Sequence, residues 1–261
     1  MSIPDKGVAV VTGATSGIGL AVTKALATVG YQVYVCARNA ENVRSTVKQL
    51  QQDGLDVDGT TCDVTVKGEI TAFVRAAVDR FGTIDVLVNN AGRTGGGVTA
   101  EIPDDLWFDV ITTNLNSVFL MTREVLTTGG MRASNHGRII NIASTAGKQG
   151  VVLGAPYSAS KHGVVGFTKA LGNELAPTGI TVNAVCPGYV ETPLAQGVRQ
   201  RYAAAYDTTE DAILSRFEAK IPLGRYSTPE EVAGMVGYLA TDSAASVTSQ
   251  AINVCGGLGN F

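Results

Sequence analysis

The segment YSASK places a phenol and an amine four residues apart, at Tyr157 and Lys161. Residues at this spacing share one face of a helix. A free phenol has a pKa of about 10, and a nearby ammonium lowers that pKa because it favours the phenolate. Tyr157 is therefore a candidate general acid for protonating a carbonyl oxygen, with Lys161 as the group that tunes it. An ordinary helix-surface pair is the alternative interpretation.

Two further polar residues could serve the same chemistry. Ser144 ends the apolar run GRIINIAS, residues 137–144, so its hydroxyl would lie at the carboxyl end of a strand. There it could donate to the same carbonyl oxygen and stabilise developing negative charge; a plain strand-end hydroxyl is the alternative. Asn114 lies inside a predicted helix, where asparagine is unfavourable because its amide competes with the backbone.

A glycine turn near the start of the chain predicts a dinucleotide site. The segment VVTGATSGIGLA, residues 10–21, has the pattern of a strand, a turn and the start of a helix. Gly13, Gly17 and Gly19 would allow the backbone to approach a ligand, and the free N–H groups of the helix would face a pyrophosphate. Thr15 and Ser16 could add hydroxyl donors. The G-x-x-x-G-x-G spacing differs from the usual G-x-G-x-x-G fingerprint, and a turn that serves packing alone is the alternative.

The ends of the next strands add detail to this site. The second predicted strand ends in Arg38 with no acidic residue, which favours a ribose 2′-phosphate and hence NADPH; a solvated surface arginine is the alternative. Asp63 could accept from the adenine amino group, although an Asx turn would have the same sequence. The amides of NNAG, residues 89–92, could line the cofactor's ribose or cap strand ends, and for Asn89 the structural role is at least as well supported.

Short apolar runs alternate with longer amphipathic stretches along the chain. The predicted strands span residues 7–13, 31–38, 56–64, 84–92, 137–144, 180–188 and 250–257. The predicted helices span residues 17–29, 40–54, 67–81, 103–128, 155–176 and 229–240.

Strands joined by helical crossovers form a parallel sheet that is covered on both faces. We therefore predict a single α/β domain over residues 1–261, a Rossmann-like, doubly wound, seven-stranded parallel sheet with helices on both faces. The segment 189–227 is long for a connection, so we predict that it forms a lid or substrate pocket.

Composition narrows the functional classes. Hydrophobic residues make up 45% of the 261 residues and charged residues 16%, which allows a sizeable core, and the net charge of −3 argues against a nucleic-acid partner. The four cysteines and two histidines form no metal-ligand pattern, and the cysteines of the apolar runs are expected to be buried. No stretch is long enough to span a bilayer and no signal-peptide pattern is present, so we expect a cytoplasmic protein without a metal or membrane partner.

The motifs taken together resemble the short-chain dehydrogenase/reductase family. The resemblance rests on TGATSGIG (12–19), NNAG (89–92), Asn114, Ser144 and Tyr157-x-x-x-Lys161, in this order over essentially the whole chain. It implies that Asn114, Ser144, Tyr157 and Lys161 are catalytic, that Asn114 holds a water relaying protons to Lys161, and that Lys161 also binds the nicotinamide ribose. It further implies that PGYVETP, residues 187–193, reaches over the nicotinamide, with Thr192 at the carboxamide. The resemblance also implies a homotetramer. Its subunits would meet through the helices near 103–128 and 155–176 and through the C-terminal helix and strand.

The predicted NADPH-binding residues follow the strand ends. They are Gly13, Thr15, Ser16, Gly17, Ile18, Gly19, Arg38, Asp63, Val64, Asn90, Ala91, Gly92, Tyr157, Lys161, Pro187, Gly188, Val190 and Thr192.

Finer features resemble the ketoreductases of bacterial aromatic (type II) polyketide synthases. They are RTGGG (93–97), ASTAGKQGV (143–151) and the ending NVCGGLGNF (253–261). This resemblance implies reduction of one ketone of a poly-β-keto chain on acyl carrier protein, favouring the ninth carbon, after or with first-ring closure. Relatives often have proline at the position of Thr94, so this loop is less rigid here.

The predicted substrate-binding residues are Gly95, Gly96, Ser144, Tyr157, Tyr202 and Lys220. Tyr202, Tyr206, Leu214 and Phe217 could line an aromatic cleft or could simply pack their helices together. Lys220, with Arg93 or Arg38, could attract the phosphopantetheine arm or the acidic carrier protein.

Two other functions fit the same motifs. A fatty-acid-type 3-oxoacyl carrier-protein reductase would share every catalytic residue and would prefer short linear thioesters. A cofactor-sensing regulator could be built on the same fold, although such proteins often lose the tyrosine or lysine, and both are present here.

Overall fold

The structure, a computed structural model, describes residues 7–259. The first six residues, and the last two residues of the NVCGGLGNF ending, lie outside this range. Seven strands form one sheet in the order β3-β2-β1-β4-β5-β6-β7, and every pairing is parallel. The predicted sheet and its strand number are confirmed.

The strands are short and rich in β-branched residues, as expected for strands buried on both faces. Their bounds are β1 Val8–Thr12, β2 Gln32–Ala37, β3 Val57–Thr61, β4 Ile84–Asn89, β5 Gly137–Ile142, β6 Ile180–Pro187 and β7 Ala251–Val254. Several end earlier than predicted, because the glycine and asparagine residues that follow them belong to loops.

The helices connect the strands and flank the sheet. Their bounds are α1 Gly17–Thr28, α2 Ala40–Gln52, α3 Lys67–Phe81, α4 Asp104–Ile111, α5 Ser117–Thr127, α6 Met131–Ser134, α7 Ala155–Leu175, α8 Pro193–Ala205, α9 Glu210–Glu218 and α10 Pro229–Leu239. The helix predicted over 103–128 is interrupted by a π-helical segment, Thr112–Asn116, between α4 and α5. The short α6 was not predicted.

Two apolar cores cover the two faces of the sheet. On one face α1, α2 and α10 bury residues such as Leu26, Leu50 and Val236. On the other face α3, α5 and α7 bury residues such as Phe73, Met121 and Leu171. All four cysteines are buried thiols, which confirms the expectation for Cys36 and Cys62. Within the described range, no helix has the length and apolar character needed to cross a membrane, and no three His, Cys, Asp or Glu residues group as a metal site would require.

The chain order reverses between β1 and β4, which are neighbours at the centre of the sheet. Loops that leave the carboxyl ends of strands on either side of such a point separate and leave a crevice. A continuous cavity of about 1130 Å³ lies along this edge, and both the glycine turn and the 189–227 segment line it.

Candidate active site

The glycine turn after β1 forms one end of the cavity. Gly13 and Gly17 have left-handed backbones, with φ of +66° and +51°. A Cβ on Gly19 would lie 2.3 Å from the Gly13 carbonyl oxygen, so α1 packs against the turn at a distance that only glycine allows. Thr15, Ser16 and Ile18 also line the cavity. Ser16 precedes α1 without capping it through its side chain, so the first N–H groups of this 12-residue helix can serve an anion.

The end of β4 is fastened to this turn by Asn90. Its side-chain Nδ2 donates to the carbonyl oxygens of Thr12 and Gly13, at 2.9 and 3.0 Å. The backbone N–H groups of Asn90 and Ala91 both donate to Thr12 Oγ1 at 3.0 Å. Asn89, by contrast, points into the core, where it donates to Thr122 Oγ1 and Asn141 Oδ1. Asn90 therefore both supports and lines the cavity, whereas Asn89 is structural.

Arg38 and Asp63 lie together at the outer edge of the same cavity half. Asp63 Oδ1 accepts from the N–H and hydroxyl of Thr65, at 2.9 and 2.7 Å, which is the Asx turn considered from the sequence. Burial opposes ionisation of Asp63, but the two Thr65 hydrogen bonds and the charge of Arg38 hold its pKa below the usual value. Val64 lines the wall beside them, and Arg38 is exposed.

Ser144, Tyr157 and Lys161 meet in the middle of the cavity, as predicted. Ser144 follows β5, and its Oγ accepts from the Ala146 N–H at 3.1 Å. Tyr157 and Lys161 lie one turn apart near the start of α7, where Pro156 occupies the first turn and needs no N–H partner. The hydroxyls of Tyr157 and Ser144 are hydrogen bonded. Lys161 Nζ donates to the Ile142 carbonyl oxygen at 2.7 Å and lies 5.8 Å from the centre of the Tyr157 ring.

The direction of the Tyr157 pKa differs from our expectation. Burial raises the pKa of Tyr157, and the Ser144 hydrogen bond only partly offsets this effect. Burial also lowers the pKa of Lys161 to about 8. The expectation that Lys161 lowers the pKa of Tyr157 is therefore wrong for this chain, because the phenol is buried and the amine faces the Ile142 carbonyl. Tyr157 holds its proton at neutral pH, which is the form that a general acid needs.

Asn114 lies in the π-helical segment and is fully buried. Its Oδ1 accepts from the Arg93 N–H at 2.8 Å, and its Nδ2 donates to the Arg93 carbonyl oxygen at 2.9 Å and to Ser160 Oγ at 3.1 Å. A Cβ on Gly92 would lie 3.3 Å from Asn114 Oδ1 and 3.8 Å from Lys161 Nζ, so Asn114 and Lys161 are neighbours behind the loop. The water relay between them stays a prediction.

The loop after β6 crosses over the cavity. We name residues 187–192 the roof, because Pro187, Gly188, Val190 and Thr192 all line the cavity. The methyl carbon of Thr192 lies 3.1 Å from where a Cβ on Gly17 would be, so the roof reaches the glycine turn. Thr192 Oγ1 accepts from the Ala195 N–H at 3.2 Å and thereby caps α8. Its predicted contact with a carboxamide stays a prediction.

The other half of the cavity is closed by the lid, which we define as α8, α9 and the residues up to 226. This segment folds as two helices and carries its own apolar cluster, in which Ile213, Phe217 and Tyr226 are buried. Tyr189 of the roof stacks on Phe217 with ring centres 4.7 Å apart. The Tyr202 ring meets the Phe217 ring edge-on at 5.2 Å.

The predicted aromatic residues both pack and line the cavity. Tyr202, Tyr206 and Phe217 belong to its wall, whereas Leu214 only packs within the lid. Tyr202 donates its hydroxyl to the Val152 carbonyl oxygen at 2.6 Å, which joins the lid to the opposite wall. The two alternatives considered from the sequence are therefore not exclusive.

Gly95 lines the cavity, but its predicted partner Gly96 does not. A Cβ on Gly96 would lie 1.9 Å from the Leu153 carbonyl oxygen, and the next N–H, of Gly97, donates to that oxygen at 2.9 Å. The glycine lets two loops touch, and its predicted contact with the substrate stays a prediction.

Several cations line the lid half. Lys220 is among them, as predicted, with Nζ 5.6 Å from the Phe217 ring centre. Arg201 and Arg216 were not singled out from the sequence; Arg201 donates to Thr94 Oγ1 at 2.6 Å. Arg93 forms an ion pair with Asp109. The helical spacing of Val198, Arg201 and Tyr202 could have indicated this face of α8, had the segment been assigned as a helix.

Comparison with known proteins agrees with this geometry. The family profile described as short chain dehydrogenase matches residues 7–203. A ketoacyl reductase assigned to the monensin polyketide synthase of Streptomyces virginiae is 75% identical over 254 residues, which cover 97% of both chains. A crystal structure of a variant actinorhodin polyketide ketoreductase with NADPH superposes with a TM-score of 0.96 at 60% identity, covering 98% of each chain.

A 3-oxoacyl-[acyl-carrier-protein] reductase of Synechocystis sp. is more distant, at 41% identity over 256 residues and 97% of both chains. The glycine turn, the tyrosine–lysine pair, the sheet order and these matches lead to one conclusion. The chain belongs to the short-chain dehydrogenase family.

Proposed function

We propose that this protein is an NADPH-dependent ketoreductase that reduces one ketone of a poly-β-keto chain carried on acyl carrier protein, in the biosynthesis of an aromatic polyketide. One observation carries the proposal. The protonated phenol of Tyr157, with Ser144 and Lys161, lies where a glycine-built half of one cavity meets an aromatic half.

The residues of the glycine-built half fit a phosphorylated dinucleotide. Gly13 and Gly19 leave no room for a side chain, so the backbone can approach a pyrophosphate. Arg38 is exposed at the far edge and forms no salt bridge with any residue of the described range, which leaves its guanidinium for a 2′-phosphate. When bound, NADPH would supply the hydride for the carbonyl carbon.

The residues of the chain handle the proton. The Tyr157 hydroxyl donates its proton to the carbonyl oxygen as that oxygen becomes negative. The Ser144 Oγ accepts from the Ala146 N–H and is hydrogen bonded to the Tyr157 hydroxyl, so both hydroxyls can turn together to the carbonyl oxygen and stabilise its negative charge. Because the Lys161 pKa is about 8 and that of Tyr157 lies above its ordinary 10.0, the ammonium is the stronger acid. Lys161 therefore returns a proton to the Tyr157 phenolate through a hydroxyl or water between them.

The lid half favours a cyclic substrate over a linear one. The rings of Tyr202, Tyr206 and Phe217 offer flat apolar walls for a partly cyclised chain. Arg201, Arg216 and Lys220 would attract the phosphodiester of the carrier arm or the acidic carrier protein. The 75% identity to a polyketide synthase ketoacyl reductase, against 41% to a 3-oxoacyl reductase, supports the same choice. Asn114, Ser144, Tyr157 and Lys161 are all in place, which argues against a regulator that only senses the cofactor.

We also propose a cytoplasmic homotetramer. Phe108 and Phe119, on α4 and α5, are 63% and 46% exposed, and burial between subunits would remove this apolar surface from water. Light scattering of the purified protein should give four times the 27.0 kDa chain mass.

Oxidation of NADPH, and separately of NADH, tests the proposed function. The substrates are a fused bicyclic ketone and a short linear β-ketoacyl thioester, followed by absorbance. We expect turnover mainly with NADPH and the bicyclic ketone. Preference for the linear thioester would instead identify a fatty-acid-type reductase, and no turnover with either, or with carrier-bound substrate, would favour the regulator.

A matched pair of arginine variants tests the cofactor preference. Arg38→Ser should raise the KM for NADPH about tenfold or more and leave the KM for NADH unchanged, because only NADPH carries the 2′-phosphate. Arg44→Ser is the control, since Arg44 is exposed, pairs with Glu41 and does not line the cavity. Equal effects of Arg38→Ser on both cofactors would contradict the assignment.

A further inference from the structure

An ion pair between a buried arginine and an exposed glutamate lies at the base of the lid. Arg199 of α8 is only 8% exposed, and its two terminal nitrogens donate to the two carboxylate oxygens of Glu191, each at 2.9 Å. Such a two-bond pair fixes the relative orientation of both side chains. The Glu191 hydrogen bonds raise the pKa of Arg199 further above its already high value, so the charge is permanent. A buried permanent charge needs this partner.

Glu191, which pairs with Arg199, belongs to the roof. Glu191 lies between Val190 and Thr192, which both line the cofactor half of the cavity. Its own N–H donates to the Ser227 carbonyl oxygen at 3.1 Å, and Val190 pairs with Ser227 in a parallel bridge. Thr192 then caps α8, the helix that carries Arg199. The ion pair therefore closes a short loop of chain between the roof and the first helix of the lid.

The same guanidinium also reaches the aromatic wall. The central carbon of Arg199 lies 5.5 Å from the Tyr226 ring centre. Tyr226 stacks on Tyr189 with ring centres 5.2 Å apart, and Tyr189 also stacks on Phe217. Phe217 and Tyr226 line the substrate half of the cavity. One side chain thus contacts a roof residue over the cofactor half and a ring of the substrate half.

We propose that Arg199 is a positioning residue that holds the roof over the cofactor half in register with the lid that walls the substrate half. The proposal rests on the proposed reductase function. Lysine could supply the charge at this position, but it lacks the planar fork that binds both Glu191 oxygens and stacks on Tyr226. Both ligands therefore depend on a residue that lines neither of their subsites.

Arg199→Gln tests the proposal through binding. We expect the Kd for NADPH, measured by fluorescence titration, and the KM for the bicyclic ketone each to rise about tenfold or more. Arg199→Lys should recover only part of this loss. Arg80→Gln is the control, because Arg80 of α3 donates to Asp58 at 2.9 Å, outside both the cavity and the lid. It should leave both constants unchanged.

A second measurement does not depend on turnover. Amide hydrogen exchange should accelerate across residues 188–205 in Arg199→Gln, while β5, residues 137–142, stays as protected as in the wild type. Exchanging the charges, with Glu191→Arg and Arg199→Glu combined, should restore more NADPH affinity than the sum of the single changes predicts.

The outcomes separate the two proposals. If Arg199→Gln lowers the melting temperature but leaves both binding constants and the exchange of residues 188–205 unchanged, the residue is merely structural and the positioning role is overturned. If the wild type reduces no ketone, the proposed function fails, and the NADPH titration and the exchange data still decide the role of Arg199.

Discussion

The two halves of the cavity are built by different means. The cofactor half is made of backbone: strand ends, the glycine turn and the start of α1, fastened by hydrogen bonds such as Asn90 to Gly13. The lid half is made of side chains on α8 and α9, and it meets the opposite wall through contacts such as Tyr202 to Val152 and Arg201 to Thr94. The first half tolerates almost no change in shape, whereas the second can change by exchanging side chains.

Local stability should follow the same division. The glycine turn is continuous with β1 and β4, at the centre of the sheet, where opening would require global unfolding. The lid has a small cluster of its own and few ties to the far wall, so it can open separately. On the proposed function, we therefore expect substrate entry to disturb only the lid.

The largest expected effect falls at the boundary between the halves. Tyr157→Phe removes the proton donor, so kcat for ketone reduction should fall by about a thousandfold. The Kd for NADPH, measured by fluorescence titration, should stay unchanged, because the ring still fills its place. Tyr238→Phe, at an exposed side chain of α10, is the control, with wild-type turnover expected. Full turnover by Tyr157→Phe would refute the mechanism.

A single methyl group should damage the cofactor half. In Gly19→Ala the new Cβ would lie 2.3 Å from the Gly13 carbonyl oxygen and 2.4 Å from Asn90 Nδ2, so the turn must shift. We expect a loss of about 1–3 kcal/mol in unfolding free energy, measured by urea denaturation, and weaker NADPH binding.

The control for this change lies on α3. Gly68→Ala places a Cβ with no atom within 4 Å, so it should stabilise the helix by up to about 0.5–1 kcal/mol. If both variants unfold with the same free energy, the glycine turn can shift to accept a side chain, and the cofactor half is not as rigid as we infer.

The pH dependence should reflect Lys161 alone. The Lys161 ammonium is present below its pKa of about 8 and is lost as the pH rises through that value, whereas Tyr157 stays protonated because its pKa is raised. The kcat/KM for reduction should be flat below about pH 8 and then fall towards tenfold per pH unit. Lys161→Arg, which keeps its charge, should show lower activity without this decline. A decline at the same pH in Lys161→Arg would assign it to another group.

The smallest effect should come from the lid half. Tyr202→Phe keeps the ring but removes the hydrogen bond to Val152, worth about 0.5–1.5 kcal/mol. The KM for the bicyclic ketone should rise a few-fold and the KM for NADPH should not change. Tyr206→Phe, which also lines the cavity, has no such hydrogen bond within the described residues and serves as the control. A larger effect on NADPH than on the ketone would mean that the two halves are not separate.

The sequence predicted the backbone-built half well. The sequence patterns that specify this half are local: β-branched runs, glycines at fixed spacing and polar residues after strands. Together they placed Gly13, Asn90 and Ser144 at one edge of the sheet. The lid was predicted less well, because α8 and α9 depend on packing against Tyr189 and the roof, which the spacing of Arg201 or Arg216 does not reveal. The rise in the Tyr157 pKa was missed for a related reason, since burial of the phenol is a property of the folded cavity.

Gly96 shows a different limit of prediction from the sequence, which concerns the role of a glycine. A glycine next to a ligand and a glycine between two loops look alike in a sequence, and the 1.9 Å distance from its missing Cβ to the Leu153 oxygen shows that it lies between two loops.

The separate apolar cluster of the lid affects how such a protein can evolve. Its buried residues, among them Ala203, Ile213 and Ile221, do not belong to either core of the sheet. Recombination that replaced residues 189–226, which include the ring of Tyr189 that packs on Phe217 and Tyr226, would therefore bring in a new substrate compartment together with most of the packing that supports it, while the inherited sheet went on binding the same cofactor. We expect the substrate range of such a chain to change through this segment.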